Sequence, residues 1–184
     1  MKPRKILVIG ILVMLLLAGL AFVIFERSDM GAKKSLDYFS QLIEDGKADN
    51  LSLTIYYVNP WILTLMPLDV NLLIANYADD IVYVENLKEQ IDLFKQINSD
   101  ALIPVEHTSR MDARVYYVFK TKHNRKIFDV AMWGDDYSIY VNGLEVKSDD
   151  IFYDIIMPFL PEHMAINLEA NKNDAKTASH SEQI

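Results

Sequence analysis

The stretch RVYYVFKTKHNRKIFDVAMWGDDYSIYVNGLEVK, residues 114–147, decides the fold class. Apolar, aromatic-rich runs of strand length recur along it, and turn residues separate them. Val115 to Phe119 reads as one strand, and Thr121 to Arg125 as a polar turn. Ile127 to Trp133 reads as the next strand, with Phe128, Val130 and Met132 on its inner face. Gly134-Asp135-Asp136 turns the chain into Tyr137–Val141. Asn142-Gly143 is the strongest hairpin signal in the chain, because both central residues of a type I′ turn need positive φ. Leu144-Glu145-Val146 then returns as the last strand. A run of strands joined by short turns is an antiparallel sheet.

Upstream, Lys34 to Glu44 reads as a helix with Leu36, Phe39, Leu42 and Ile43 on one side and Gly46 just past its end. Leu51 to Val58 alternates as a half-buried strand, with Leu51, Leu53, Ile55 and Tyr57 on one face and Ser52, Thr54 and Tyr56 on the other. Asn59-Pro60 ends it. Trp61 to Met66 is expected to be a further extended stretch, Asp69 to cap a short helix, and Ile81 to Val84 to be a short strand. Asn86 and Glu89 have the spacing of a helix start. Downstream, Ser148-Asp149-Asp150 starts a helix running to about Met157, stopped by Pro158 and Pro161.

From Ala165 the composition turns to Asn, Ala, Lys, Ser and Glu, and residues 165–184 are expected to form a disordered tail. The expectation for residues 34–164 is therefore a small α+β domain, an antiparallel sheet packed by three to four helices.

A different segment precedes it. Ile6 to Phe25 is a run of twenty residues without a charge, behind Lys2, Arg4 and Lys5. At 1.5 Å rise per residue such a helix matches the ~30 Å hydrocarbon core of a bilayer. Residues 1–25 are therefore expected to be a transmembrane anchor and 26–33 a tether. Gly19 and Ala21 would also allow signal-peptide cleavage after Ala21, but the apolar run continues to Phe25 and is longer than a signal core. The basic start favours a domain on the outer face of the cell membrane. Arg27, Lys33 and Lys34 weaken that bias by matching it on the other side.

Three of the 18 basic residues and none of the 26 acidic ones lie before residue 26, so the remainder carries a formal charge of −11. A body that acidic repels phosphate backbones, and no nucleic-acid partner is expected. There is no cysteine, which removes disulfides and thiolate chemistry. The glycines form no phosphate loop, no Gly-x-Ser-x-Gly elbow is present, and no two histidines lie a helical turn apart. No cofactor or metal is expected. The pairs Asp79-Asp80, Asp135-Asp136 and Asp149-Asp150 sit at turns and a helix start, where Asp serves as a cap.

One region departs from the acidic average. Arg110, Arg114, Lys120, Lys122, Arg125 and Lys126 face a single acid, Asp112, within residues 110–126. Lys120, Lys122, Arg125, Lys126 and Arg114 are the candidate binding residues, for a protein or an anionic envelope polymer. Lysines that guard strand edges would give the same pattern. The expected function is a membrane-anchored, extracytoplasmic, non-enzymatic binding or accessory domain. The alternatives are an enzyme using Asp135 or Asp136 beside His123, and a regulator tethered on the cytoplasmic side.

Overall fold

The computed structural model describes residues 31–59, 62–77, 80–105, 109–132, 137–147 and 149–181. Six antiparallel strands form one sheet: β1 (Leu51–Tyr57), β2 (Asp80–Val84), β3 (Val115–Thr121), β4 (Lys126–Met132), β5 (Ile139–Val141) and β6 (Leu144–Val146). Their order is β2-β1-β3-β4-β5-β6. The helices are α1 (31–44), α2 (Val70–Leu72, continuing as a wider turn over Leu73–Tyr77), α3 (Ile91–Phe94), α4 (Ile151–Asp154) and α5 (Glu162–Ser181). The expected α+β class holds.

Alternation puts Leu53, Ile55, Tyr117, Phe119, Phe128, Val130, Ile139 and Val141 on one face, buried under the helices. α1 contributes Ala32, Leu36, Phe39 and Ile43 at helical spacing. Phe39, Phe119 and Phe128 meet with ring centroids 4.8 to 5.1 Å apart, and Phe94 adds an edge contact to Phe119 at 5.6 Å. Tyr117 is fully buried, and its hydroxyl donates to the Phe152 carbonyl at 2.9 Å. The opposite face has a smaller core of Val58, Leu73, Ala113, Tyr116, Val118, Ala131 and Tyr140.

The turns follow from local chemistry. Gly46, at φ +71°, ends α1, with Lys47 N–H donating to the Leu42 carbonyl. Asn142 and Gly143 both have positive φ, as the expected hairpin turn requires. Asp69 caps α2 by accepting from Leu72 N–H at 2.8 Å. Between β3 and β4 the register shifts after Phe119, so Ile127 has no partner and is buried beside Phe128.

Two expectations are corrected. Residues 165–181 are not a disordered tail but belong to α5. Its docked face is Met164, Leu168, Asn171 and Lys172, half of it polar. Lys172 Nζ reaches Asp154 at 2.5 Å and Asp150 at 3.6 Å, and Asn167 donates to the Tyr57 hydroxyl at 2.9 Å. Composition misses such a helix because polar partners, not an apolar stripe, hold half of its face. Residues 62–66, expected to be extended, are in no strand. Among the described residues no helix is long and apolar enough to cross a membrane, and the expected span at Ile6–Phe25 lies outside them.

Candidate functional site

The sheet has two distinct ends. A short turn joins α1 to β1, so the two run antiparallel. Phe39 packs on Phe119, which pairs with Leu53. From Phe39 back to Gly31 is about 12 Å of helix, and from Leu53 on to Tyr57 about 13 Å of strand. Gly31 therefore lies at the Tyr57 end, the entry end. The row Tyr57, Val115, Met132, Ile139 and Val146 marks that end across the sheet. The β3–β4 turn and the start of β1 mark the far end, where Leu51 pairs with Thr121.

At the far end, on the face away from the main core, lies a cleft of about 400 Å³. Ser52 and Thr54 of β1 line it beside Lys120 and Thr121 of β3. Tyr83 and Glu85 come from β2 and its exit, Lys122 and Asn124 from the turn, and Asp49 and Asn50 from the approach to β1. Pairing explains the assembly, since Ser52 lies opposite Lys120 and Thr54 opposite Tyr83. Lys122 N–H donates to the Asn50 carbonyl at 2.8 Å and fixes the turn against the strand start. The Lys88 ammonium, 3.1 Å away, holds the Asp49 carboxyl below its ordinary range by hydrogen bond and charge, with Lys122 adding to the effect. The cleft thus offers hydroxyls, two ammonium groups, two carboxylates and the exposed ring of Tyr83. That set suits a ligand with both hydroxyls and negative charge.

The five candidate residues do not form one patch. Lys120 and Lys122 enter the cleft. Lys126 lies opposite Lys120, a like-charge pairing relieved by Asp129, whose carboxylate is 2.7 Å from the Lys126 ammonium. Asp129 also accepts from the Tyr116 hydroxyl at 3.0 Å, and burial, followed by that carboxylate, pushes the phenol well above its ordinary range. Arg125 lies over the Tyr38 ring, 6.0 Å from its centroid. Arg114 is at the entry end, 8% exposed, with its guanidinium 3.0 Å from Asp112.

His123 sits in the far-end turn, whereas Asp135 and Asp136 lie outside the described residues. Met132, the last described residue before them, is at the other end of β4. Among the described residues no group of three or more His, Asp or Glu is placed to hold a metal. Sequence reasoning missed Ser52, Thr54, Tyr83, Glu85 and Asp49 as site residues. Alternation marked Ser52 and Thr54 as outward, but only the β2-β1-β3 order brings them to the lysines.

Fold and site together define an α+β sheet domain with a polar, lysine-bearing cleft at one end. Comparison with protein-family models, with curated proteins and with solved structures finds no match.

Proposed function

We propose that this is a membrane-anchored, outward-facing binding protein whose far-end cleft holds an anionic, hydroxyl-rich envelope polymer. The observation that carries the reading is the placement of the cleft. Gly31, which follows the apolar run by six residues, is at one end of the sheet, and Lys120 and Lys122 are at the other. A domain entered from a bilayer at the first end presents the second to whatever lies beyond the membrane. Neither lysine is ion-paired among the described residues, so both ammonium groups are available to a ligand. The hydroxyls of Ser52 and Thr54 and the Tyr83 ring supply polar and stacking contacts for a sugar or polyol unit.

The test uses the full chain in nanodiscs of zwitterionic lipid, titrated with soluble poly(glycerol phosphate) and with neutral dextran. Saturable binding of the polyanion alone is expected, weakening as salt rises. The double reversal Lys120→Glu and Lys122→Glu should weaken it about tenfold or more, the equivalent of ~1.4 kcal/mol. Equal binding by the reversed protein would sink the reading.

A regulator tethered on the cytoplasmic side differs in topology alone, and Arg27, Lys33 and Lys34 give it some support. The cysteine-free chain makes that decidable with one substitution. Asp92→Cys, exposed and four residues past Lys88, whose ammonium meets Asp49 at the far end, should react with an impermeant thiol reagent on intact cells. Reaction only after lysis would favour the regulator.

A further inference from the structure

At the entry end the chain between β1 and α2 inverts the usual order of a loop. Leu63 and Leu65 are 98% and 106% exposed, Met66 55% and Ile62 43%. The polar groups of this segment point inward instead. Arg114 Nη2 donates to Thr64 Oγ1 at 3.1 Å, and Thr64 Oγ1 in turn donates to the Met66 carbonyl at 2.8 Å. Leu68 N–H donates to Asp112 Oδ1 at 2.8 Å, and Ala113 N–H to the Leu68 carbonyl at 2.8 Å. The Arg114–Asp112 pair thus pins the stem, and the fully buried Leu68 closes it. Val58 to Leu68 contains no charged residue.

We infer that residues 62–66 form a lipid-seating wedge, in which Leu63 and Leu65 insert into the interfacial edge of the bilayer holding the N-terminal run. The inference rests on the anchored reading above. Two observations choose lipid as the occupant. β1 exits into the loop at the end where Gly31 lies, and Phe25 to Gly31 is six residues, a reach of at most about 20 Å. The wedge is therefore held close to the membrane surface by covalent geometry. The exposed side chains of the loop are aliphatic and Val58 to Leu68 carries no charge, so apolar burial is the driving force that the loop itself supplies, whatever Lys33 and Lys34 add near Gly31. This also gives Arg114 a role unlike that of the far-end lysines: it positions the loop and does not meet a ligand.

The experiment places an environment-sensitive fluorophore on Leu65→Cys in the full chain, with Asp92→Cys as the far-end control. Both proteins are reconstituted into phosphatidylcholine vesicles carrying a nitroxide at a shallow acyl position, and flotation on a density gradient reports anchoring separately. Expected are flotation of both, quenching several-fold stronger at position 65 than at position 92, and weaker quenching when Leu63→Ser is added. Flotation with equally weak quenching at the two positions would overturn the wedge, leave the anchor standing and assign the loop to a protein partner. Equally strong quenching at both would mean a domain lying flat and would overturn the oriented seating. Absence of flotation would overturn both the wedge and the anchor.

Discussion

The two ends of the sheet are made from the same strands and have opposite surface chemistry. At the far end, the connections are short, polar and charged, and the cleft sits among Ser52, Thr54, Lys120 and Lys122. At the entry end the β1–β2 connection is long and its first part, Val58 to Leu68, carries no charge, while Arg114 and Asp112, just before β3, are turned inward to hold it. The difference teaches that net charge describes neither end. An average of −11 says nothing of how the far end displays lysines around a cleft, or of how Arg114 is buried at the entry end while Lys33 and Lys34, near Gly31, stay exposed. What the ends share is the aromatic centre between them.

That shared centre is the place to break the comparison with the largest effect. Phe119 touches Phe39, Phe94 and Phe128, and lies fully buried. Phe119→Ala should cost about 3–5 kcal/mol in urea unfolding, from lost transfer energy and the cavity left behind. Both ends should lose amide protection in the same transition. Protection that persisted at the entry end after the far end had opened would mean two separately stable halves.

A smaller effect is expected at α5, which crosses the entry end. Its His163 lies near Asp80 of β2, its Asn167 bonds Tyr57 of β1, and its Lys172 reaches Asp154 of α4. Lys172 has a side chain only 10% exposed, whereas Asp150 and Asp154 are nearly half exposed and would rehydrate if it were removed. Lys172→Ala should therefore cost about 1–2 kcal/mol, less than breaking a fully buried pair. Burial opposes the charged form of Lys172, but the hydrogen bond and charge of Asp154, with Asp150, hold its pKa above the usual 10.5. A raised folded-state value means the stabilisation is full below the unfolded pKa and is lost as pH rises through the folded one. Hydrogen exchange of α5 should accelerate relative to the sheet only at strongly alkaline pH, after correction for intrinsic rates. The Lys172→Ala protein should lack that relative step.

What the sequence disclosed follows the same division. Elements whose logic is local were legible: the Asn142-Gly143 turn, the Asp69 cap, the Gly46 helix end, the alternation of β1 and the apolar runs of β3 and β4. Elements that depend on distant partners were not. Among its described side chains α5 presents Met164 and Leu168 as the large buried apolar groups, and it also docks through Tyr57, Tyr153 and Asp154, residues no local window contains. The cleft was half legible, because Lys120 and Lys122 stood out by charge. Its hydroxyl floor required knowing that β1 lies between β2 and β3. Arg114 was grouped with the hairpin lysines by proximity in sequence, but β3 carries it a strand's length away. Ile62 to Met66 read as an extended stretch because apolar residues of that density are usually inside.

The smallest expected effect separates surface from frame at both ends. Leu63→Ser with Leu65→Ser should change unfolding free energy by no more than about 0.5 kcal/mol, since neither side chain is buried against the protein. Lys122→Ser at the far end should be equally mild for the same reason, because its backbone N–H, not its side chain, joins the turn to Asn50. A larger loss from the leucine pair would mean that the loop packs on the domain in solution, and the exposed leucines would then belong to the core of the entry end. A larger loss from Lys122→Ser would mean that its ammonium holds Asp49 and the cleft wall in place, making the far end a structural clasp as well as a binding site. If both changes are silent in stability, the exposed side chains at each end are free to be shaped by what they touch, and the fold rests on the buried residues between them.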